Sequence, residues 1–226
     1  MNILKRGMVF ITFFGCCFGI SLMAAAMSTK FWLEAEAVQK RLNPDKTLEV
    51  RPNSTGHVNF GLFKGRKALN VGFGMRLHPF DVESAVFMDY GLWVGTIACL
   101  SLGMMFAVVG ALFAVINTAT TPVEAITGVP GLYVWNTLAA LFNLICVILW
   151  AVQFHENLTK NVLLYDASNG WTTEGMEVFG YSFWLVVVAI FVHVANIAII
   201  FIGTYEPKAK DQVQAPDTKG SNIMLY

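Results

Sequence analysis

The sequence predicts an all-α membrane protein, a bundle of four transmembrane helices with a small antiparallel β-sheet in the first extracellular loop. Of its 226 residues, 56% are apolar and 13% are charged, which is about half the usual charged share of roughly 25%. Four windows contain no Asp, Glu, Lys or Arg, and they cover residues 7–29, 90–123, 125–155 and 178–205. This distribution excludes a soluble globular domain, a disordered chain and a secreted disulfide scaffold.

Each uncharged window is long enough for one membrane-spanning helix. A helix rises 1.5 Å per residue, so about 20 apolar residues cross a hydrocarbon core roughly 30 Å thick. Helices are favoured because lipid offers no partner to free backbone groups, and the windows lack the alternation of a membrane β-barrel. We predict spans near residues 8–27, 91–116, 131–153 and 180–204, within a single membrane domain that covers residues 1–226.

The first span has a second interpretation as a secretory signal peptide. Lys5 and Arg6 precede an apolar run that ends in three alanines, at 24–26, and small residues are typical of a cleavage site. The apolar run of about 20 residues is longer than the roughly 7–15 of a signal peptide. Under either interpretation Lys30 lies on the outside, so the loop topology is the same.

Positive charges predict the orientation of the spans. The N-terminus, the polar turn at 117–130 and the tail together carry five Lys or Arg, whereas the loop after the third span carries only Lys160. The nine Lys and Arg of residues 30–89 count less, because long loops cross the membrane largely regardless of charge. We predict cytoplasmic N- and C-termini, outer loops at 28–90 and 154–179, and a cytoplasmic tail at 205–226.

The first outer loop has the composition of a small folded unit. Residues 48–51 and 58–60 alternate between apolar and polar side chains, which is typical of half-exposed strands. All four cysteines lie inside predicted spans, so an outer-loop disulfide is excluded. Asn53 and Asn157 each begin an N-x-Ser/Thr sequon on the outer side, and both are predicted glycosylation sites. Asn157 is the weaker acceptor, because it lies a few residues from the membrane.

Polar residues inside the spans predict contacts between helices. Asn136 and Asn143 lie seven residues apart and share one face of the third helix, and His193 and Asn196 share one face of the fourth. A buried proton or ion path is one interpretation. Interhelical hydrogen bonds, worth about 0.6–2 kcal/mol each, are favoured because no charged residue lies in any span.

Glycines at helical spacing predict close approach of the helix backbones. Gly15 and Gly19 form a GxxxG motif on the first span, and Gly91 and Gly95 form another on the second. We expect these glycines to pack within the bundle rather than to form a dimer face, and the oligomeric state stays open. Tryptophans near the span ends, including Trp32 and positions 93, 150, 171 and 184, are typical of interfacial belts.

The tail ends in Met224, Leu225 and Tyr226. Apolar side chains at the last and third-last positions suit strand addition to a PDZ domain, and a tail end without a partner is the alternative. The chain contains no HExxH, GxSxG, P-loop or GxGxxG motif. We therefore predict no catalytic site, no cofactor and no metal, and we expect lipid and protein partners rather than nucleic acid.

Short strings spread along most of the chain resemble the clarin family, within the wider claudin-like group of tetraspan proteins. They are GLFKG at 61–65, GFGMR at 72–76, GVPGLY at 128–133 followed by WN, FH and LT at 154–159, SFW at 182–184 with His193 and Asn196, and the final LY. Claudins themselves carry GLW followed by two loop cysteines, and here GLF at 61–63 is followed by none. Val71 stands where some clarins have a cysteine.

The resemblance implies a non-enzymatic protein of the plasma membrane. Clarins are associated with sensory hair cells and synapses, and the resemblance implies a scaffold that links membrane, adhesion and actin cytoskeleton, with a PDZ or cytoskeletal adaptor at the tail. An auxiliary subunit of an ion channel or mechanotransduction complex is an alternative. A claudin-type barrier or junction protein is a further alternative, against which the missing loop cysteines count.

Overall fold

The computed structural model describes residues 3–45, 47–70, 72, 74–84, 86–120 and 126–204. Four long helices dominate it: α1 (Ile3–Ser28), α2 (Tyr90–Ala119), α3 (Val129–Gln153) and α4 (Tyr181–Thr204). Each helix is long and apolar enough to cross a membrane. Short antiparallel strands follow α1 and α3. The predicted class, four membrane-spanning helices with a small antiparallel sheet, is confirmed.

The four helices form a bundle in which α1 contacts α2, α2 contacts α3, α3 contacts α4, and α4 contacts α1. Only 28–33% of the most apolar window of each helix is buried inside the protein. Helices that are apolar on all sides suit this arrangement, because lipid covers the faces that the neighbouring helices leave free.

Local sequence explains where the second and third helices begin. The side chain of Asp89 accepts a hydrogen bond from the Leu92 backbone nitrogen at 3.0 Å and caps α2. Pro130 stands in the first turn of α3, where its missing N–H leaves no bond unmade. At its C-terminal end α3 continues as a π-helical turn, Phe154–Leu158, so the loop between α3 and α4 starts later than residue 154.

One seven-stranded antiparallel sheet covers the end of the bundle at which α1 and α3 finish. The strands are β1 (Leu33–Leu42), β2 (Leu48–Val50), β3 (Gly56–Phe60), β4 (Lys64–Asn70), β5 (Met75–Asp81), β6 (Trp171–Thr172) and β7 (Glu177–Phe179). The order is β2-β1-β3-β4-β5, and β6 and β7 also pair with β1. Residues 33–35 of β1 pair with both β3 and β7, so β1 has a partner on each edge.

The prediction that the sheet belongs to the first loop was incomplete. The two predicted segments are strands, β2 and β3, but the loop between α3 and α4 supplies β6 and β7. The longest strand, β1, was not identified, since its sequence LEAEAVQKRL is rich in residues with high helix propensity. Pairing with distant segments on both edges overrides that local preference.

Tryptophan side chains fasten the sheet to the bundle. Trp32 Nε1 donates to the Ala26 carbonyl of α1 at 2.6 Å, and Trp93 Nε1 donates to the Leu62 carbonyl at 2.7 Å. The Trp32 ring packs edge-on against Trp150, with ring centroids 5.0 Å apart. The sheet is therefore held by directed bonds as well as by apolar burial.

The belt interpretation of these tryptophans was wrong for three of them. Trp32 and Trp150 are completely buried and Trp171 is 2% exposed, whereas Trp184 is 54% exposed. Because the sheet packs onto the end of the bundle, the three buried rings belong to the protein core rather than to a lipid interface.

Candidate functional site: a polar cluster inside the helix bundle

All four helices converge on one group of polar side chains in the bundle. α1 supplies Cys16, α3 supplies Asn136, and α4 supplies His193 and Asn196, each at most 2% exposed. α2 contributes Gly110, where an added Cβ would lie 3.5 Å from the Cys16 sulfur and 3.7 Å from Asn136 Nδ2. We call these four side chains the polar cluster.

The side-chain oxygen of Asn136 is the shared acceptor of the polar cluster. Asn136 Oδ1 lies 3.1 Å from Asn196 Nδ2, 3.1 Å from His193 Nδ1 and 3.5 Å from the Cys16 sulfur. An amide oxygen only accepts, so the contact requires a proton on His193 Nδ1. His193 Nε2 is enclosed and has no hydrogen-bond partner among the described residues.

Asn196 extends the polar cluster to the backbone of α1. Its Nδ2 lies 3.4 Å from the Thr12 carbonyl oxygen and 3.5 Å from the Cys16 sulfur. Asn136 in turn donates from its own Nδ2 to the Leu132 carbonyl at 2.9 Å. These bonds connect α1, α3 and α4 at one level of the bundle.

Two glycines of α1 make room for the polar cluster. A Cβ at Gly15 would lie 2.0 Å from Asn196 Oδ1, and a Cβ at Gly19 would lie 2.8 Å from His193 Nε2. Gly15 and Gly19 are one helical turn apart, as are Asn196 and His193, so each glycine faces one polar side chain of α4. The structure thus places four of the sequence-predicted residues in one contact between α1 and α4.

Asn143 lies on the same face of α3 as Asn136 but outside the polar cluster. A separation of seven residues is a rise of about 10 Å along the helix. A Cβ at Gly103 of α2 would lie 2.7 Å from Asn143 Oδ1, so this amide packs on a glycine of the neighbouring helix. Neither polar atom of Asn143 has a hydrogen-bond partner in the described part of the chain.

The second glycine pair divides between two environments. A Cβ at Gly95 would lie 3.1 Å from Leu149 Cδ1 of α3, so Gly95 is at a helix contact. Gly91 is exposed, and a Cβ there would meet only the Asp89 carboxylate, at 3.3 Å. Gly91 was predicted to pack within the bundle, and this prediction was wrong. Gly91 belongs to the first turn of α2, beside the residue that caps the helix.

The polar cluster holds helices together and carries no formal charge. No Asp, Glu, Lys or Arg occurs in the predicted spans that form it. Among the described residues, no three His, Cys, Asp or Glu side chains come close enough to share a metal ion. Its chemistry is that of a neutral hydrogen-bond network, which fixes the register and rotation of the helices that share it.

Cys16 and Thr12 are members of this site that the sequence analysis missed. Cysteines in an apolar run are usually apolar fillers, and only the fold shows the Cys16 sulfur between two amides. Its position next to Gly15 in the GxxxG motif was the available signal.

The two predicted glycosylation sites differ in their surroundings. Asn53 is exposed and lies in the turn between β2 and β3, with a positive φ of 64°. Asn157 lies in the π-helical turn after α3, and the hydroxyl of its sequon residue, Thr159, donates to the His155 carbonyl at 3.0 Å. Asn53 is the better presented acceptor. The PDZ-type tail, Met224, Leu225 and Tyr226, lies outside the described residues.

At two points of the sheet, charged groups belong to the loop between α3 and α4. The Lys67 ammonium of β4 forms an ion pair with the Asp166 carboxylate. Both carboxylate oxygens of Glu177 in β7 are enclosed by the protein. Burial raises the pKa of the Glu177 carboxyl above its ordinary value.

Comparison with known proteins gives consistent matches along the chain. A family model described as Clarin-2-like matches residues 6–200. Clarin-3 of Mus musculus is 28% identical over 173 residues, 73% of this chain and 75% of that protein. Clarin-2 of Homo sapiens is 27% identical over 75% of both chains. Clarin-1 of Rattus norvegicus is 24% identical over 94% of this chain and 93% of that protein.

Proposed function

The chain belongs to the clarin family, and from this premise we propose that it is a non-enzymatic organiser of the plasma membrane, which links an extracellular contact to the actin cytoskeleton. Four apolar helices and the family assignment make it a clarin-like tetraspan membrane protein. The organising role, the plasma membrane and a setting in sensory cells or synapses are parts of the proposal.

The observation that carries this proposal is the single sheet made from both outer loops. β1 pairs with β3 of the first loop and with β7 of the second, and Trp32 and Trp93 bond the sheet region to the helices. A platform of this kind presents a fixed outer surface. That suits a protein whose task is to hold a partner in place.

The interior of the bundle supports a structural role. At the level of the polar cluster, glycines of α1 stand against buried amide and imidazole groups at distances too short for an added Cβ. Close packing of this kind leaves the centre occupied by side chains. The spans carry no charged residue to coordinate a moving ion.

The cytoplasmic half of the proposal rests on the tail. With both termini in the cytoplasm, Met224, Leu225 and Tyr226 would reach a PDZ domain by strand addition and carboxylate capture. An adaptor bound there would connect the outer platform to actin.

Proximity labelling in a native-like cell tests the proposal. The labelling enzyme is inserted in the tail upstream of Ser221, which leaves the terminal carboxylate free, and a matched protein that lacks Met224–Tyr226 is the control. We expect PDZ and actin-linked proteins to be enriched with the full tail and lost on deletion, at equal surface expression. Enrichment of a channel complex that the deletion leaves unchanged would contradict it and favour an auxiliary subunit held through its helices.

A further inference from the structure

A cleft on the outer side of the protein separates the sheet from the second outer loop. β4 and β5 form one wall, and residues 162–171 form the facing wall. None of the residues of the polar cluster lies in this cleft, so it is a feature of the outer region in its own right.

The cleft has two compartments of different polarity. The inner one is a small cavity of about 80 Å³, and the outer one is an open cavity of about 590 Å³. The inner compartment is apolar for most of its wall and is lined by Val58, Phe80, Phe87, Val162, Leu163 and Tyr165, with Asp81 at its border. The outer compartment is polar and is lined by Gln39, Leu69, Arg76, His78, Asn169 and Trp171.

The register of β4 and β5 explains this division. Alternate residues of a strand share one face of the sheet, so Phe80, His78 and Arg76 follow one another along the cleft. They stand opposite Gly65, Lys67 and Leu69 of β4 in that order. Because β5 leads into α2, the apolar end of this row lies nearer the bundle and the cationic end lies farther out.

The ion pair between Lys67 and Asp166 marks the boundary between the compartments. Both residues line the inner and the outer cavity, and their side chains are 22% and 21% exposed. Asp166 neutralises Lys67, so Arg76 is the cation that the outer compartment leaves available to a ligand.

Trp171 adds a hydrogen-bond donor to the outer compartment. The residue is 2% exposed and lines the outer cavity. Its indole nitrogen can only donate a hydrogen bond, which suits a bound anionic group.

We propose that this cleft binds a single-chain lipid with an anionic head group. A short apolar segment lies in the inner compartment against Phe80 and Phe87, and Arg76 holds the anionic head with help from the N–H groups of His78 and Trp171. The direction of the polarity agrees with a lipid of the outer leaflet, whose head also points away from the membrane. Such a ligand keeps its orientation when it moves from the bilayer into the cleft.

Photo-crosslinking of the purified full-length protein in phosphatidylcholine nanodiscs tests the proposal. The probe is decyl phosphate with a diazirine at the end of the alkyl chain, and labelled peptides are mapped by mass spectrometry. We expect saturable labelling of the peptides that contain Phe80, Phe87 and residues 162–165. Decyl phosphate should compete with the probe, and inorganic phosphate and decanol should not.

Two charge-removing variants of exposed residues make the test specific. Arg76→Gln is expected to raise the half-saturation concentration of the probe about tenfold, because it removes one charge-assisted hydrogen bond. Lys64→Gln removes an exposed cation of β4 that does not line the cleft and should leave binding unchanged. Equal effects of the two variants, displacement by inorganic phosphate, or labelling confined to the membrane-spanning helices would each overturn the proposal.

Discussion

The substitution Gly15→Ala tests whether the contact between α1 and α4 depends on an empty Cβ position. The added methyl group would lie 2.0 Å from Asn196 Oδ1 and 2.7 Å from Asn196 Cγ. Asn196 is 2% exposed and bonds to Asn136, so it cannot move away without breaking that bond or separating the helices.

The expected loss of stability is the sum of overpacking and of a broken interhelical hydrogen bond. Overpacking of a closed core costs about 1–3 kcal/mol, and an interhelical hydrogen bond in a membrane is worth about 0.6–1.7 kcal/mol. We therefore expect Gly15→Ala to lower the free energy of unfolding by about 2–4 kcal/mol relative to a glycine substitution without a clash.

Gly7→Ala is the matched control, because it lies on the same helix and a Cβ there has no atom within 4 Å. Like Gly15→Ala, this substitution raises the helix propensity of α1, which is worth up to about 1 kcal/mol. Unlike Gly15→Ala, it creates no clash. The measurement is equilibrium unfolding of both variants and of the unmodified protein in mixed micelles, followed by tryptophan fluorescence.

A second substitution decides whether Asn196 is the cause. Asn196→Ala creates space opposite Gly15, so Gly15→Ala should cost less than about 1 kcal/mol in that background, by the logic of a double-mutant cycle. An equal cost in both backgrounds, or a Gly15→Ala protein as stable as Gly7→Ala, would refute the reasoning.

Four further predictions test other parts of the structure. Asn136→Leu removes the shared acceptor and should destabilise the bundle by about 1–3 kcal/mol in the same micelles; unchanged unfolding would contradict the network. Lys67→Met should lower the local stability of the sheet by at most about 1 kcal/mol, and by nothing in high salt, because the ion pair is partly exposed. Hydrogen exchange of the loop segments that contain Lys67 and Asp166 measures this loss. Because burial raises the pKa of Glu177, its protonated form favours folding: this stabilisation is complete below the unfolded pKa and is lost as pH rises through the folded value. Exchange of residues 171–179 should therefore be slower in acid, after correction for intrinsic rates, and Glu177→Gln should remove that dependence. Asn53→Gln should abolish the mobility shift produced by N-glycosidase, whereas loss of the shift in Asn157→Gln alone would contradict the assignment.

Composition and spacing were sufficient to predict the membrane-spanning part of the fold. The four uncharged windows correspond to α1, α2, α3 and α4 within a few residues. A span can be recognised locally because every turn of it must tolerate lipid, whatever the neighbouring helices are. The strings that resemble clarins could also be recognised locally, because each of them is a contiguous stretch of sequence.

Helical spacing predicted which polar residues share a face but not what that face meets. Asn136 and Asn143 lie on one face of α3, yet Asn136 joins the polar cluster and Asn143 packs on Gly103. The partner of a side chain depends on the rotation and height of the neighbouring helix. Those quantities are properties of the packed bundle and not of any single segment.

The sequence by itself determined the four spans, the first-loop strands β2 and β3, and the glycine and amide positions. Only the tertiary structure decided that β1 is a strand, that the second loop completes its sheet, and that Trp32 is buried in the core. The physical reason is the range of the interactions: apolar length and helical spacing act within one segment, whereas β pairing, burial and shared hydrogen bonds require segments far apart in the chain to meet.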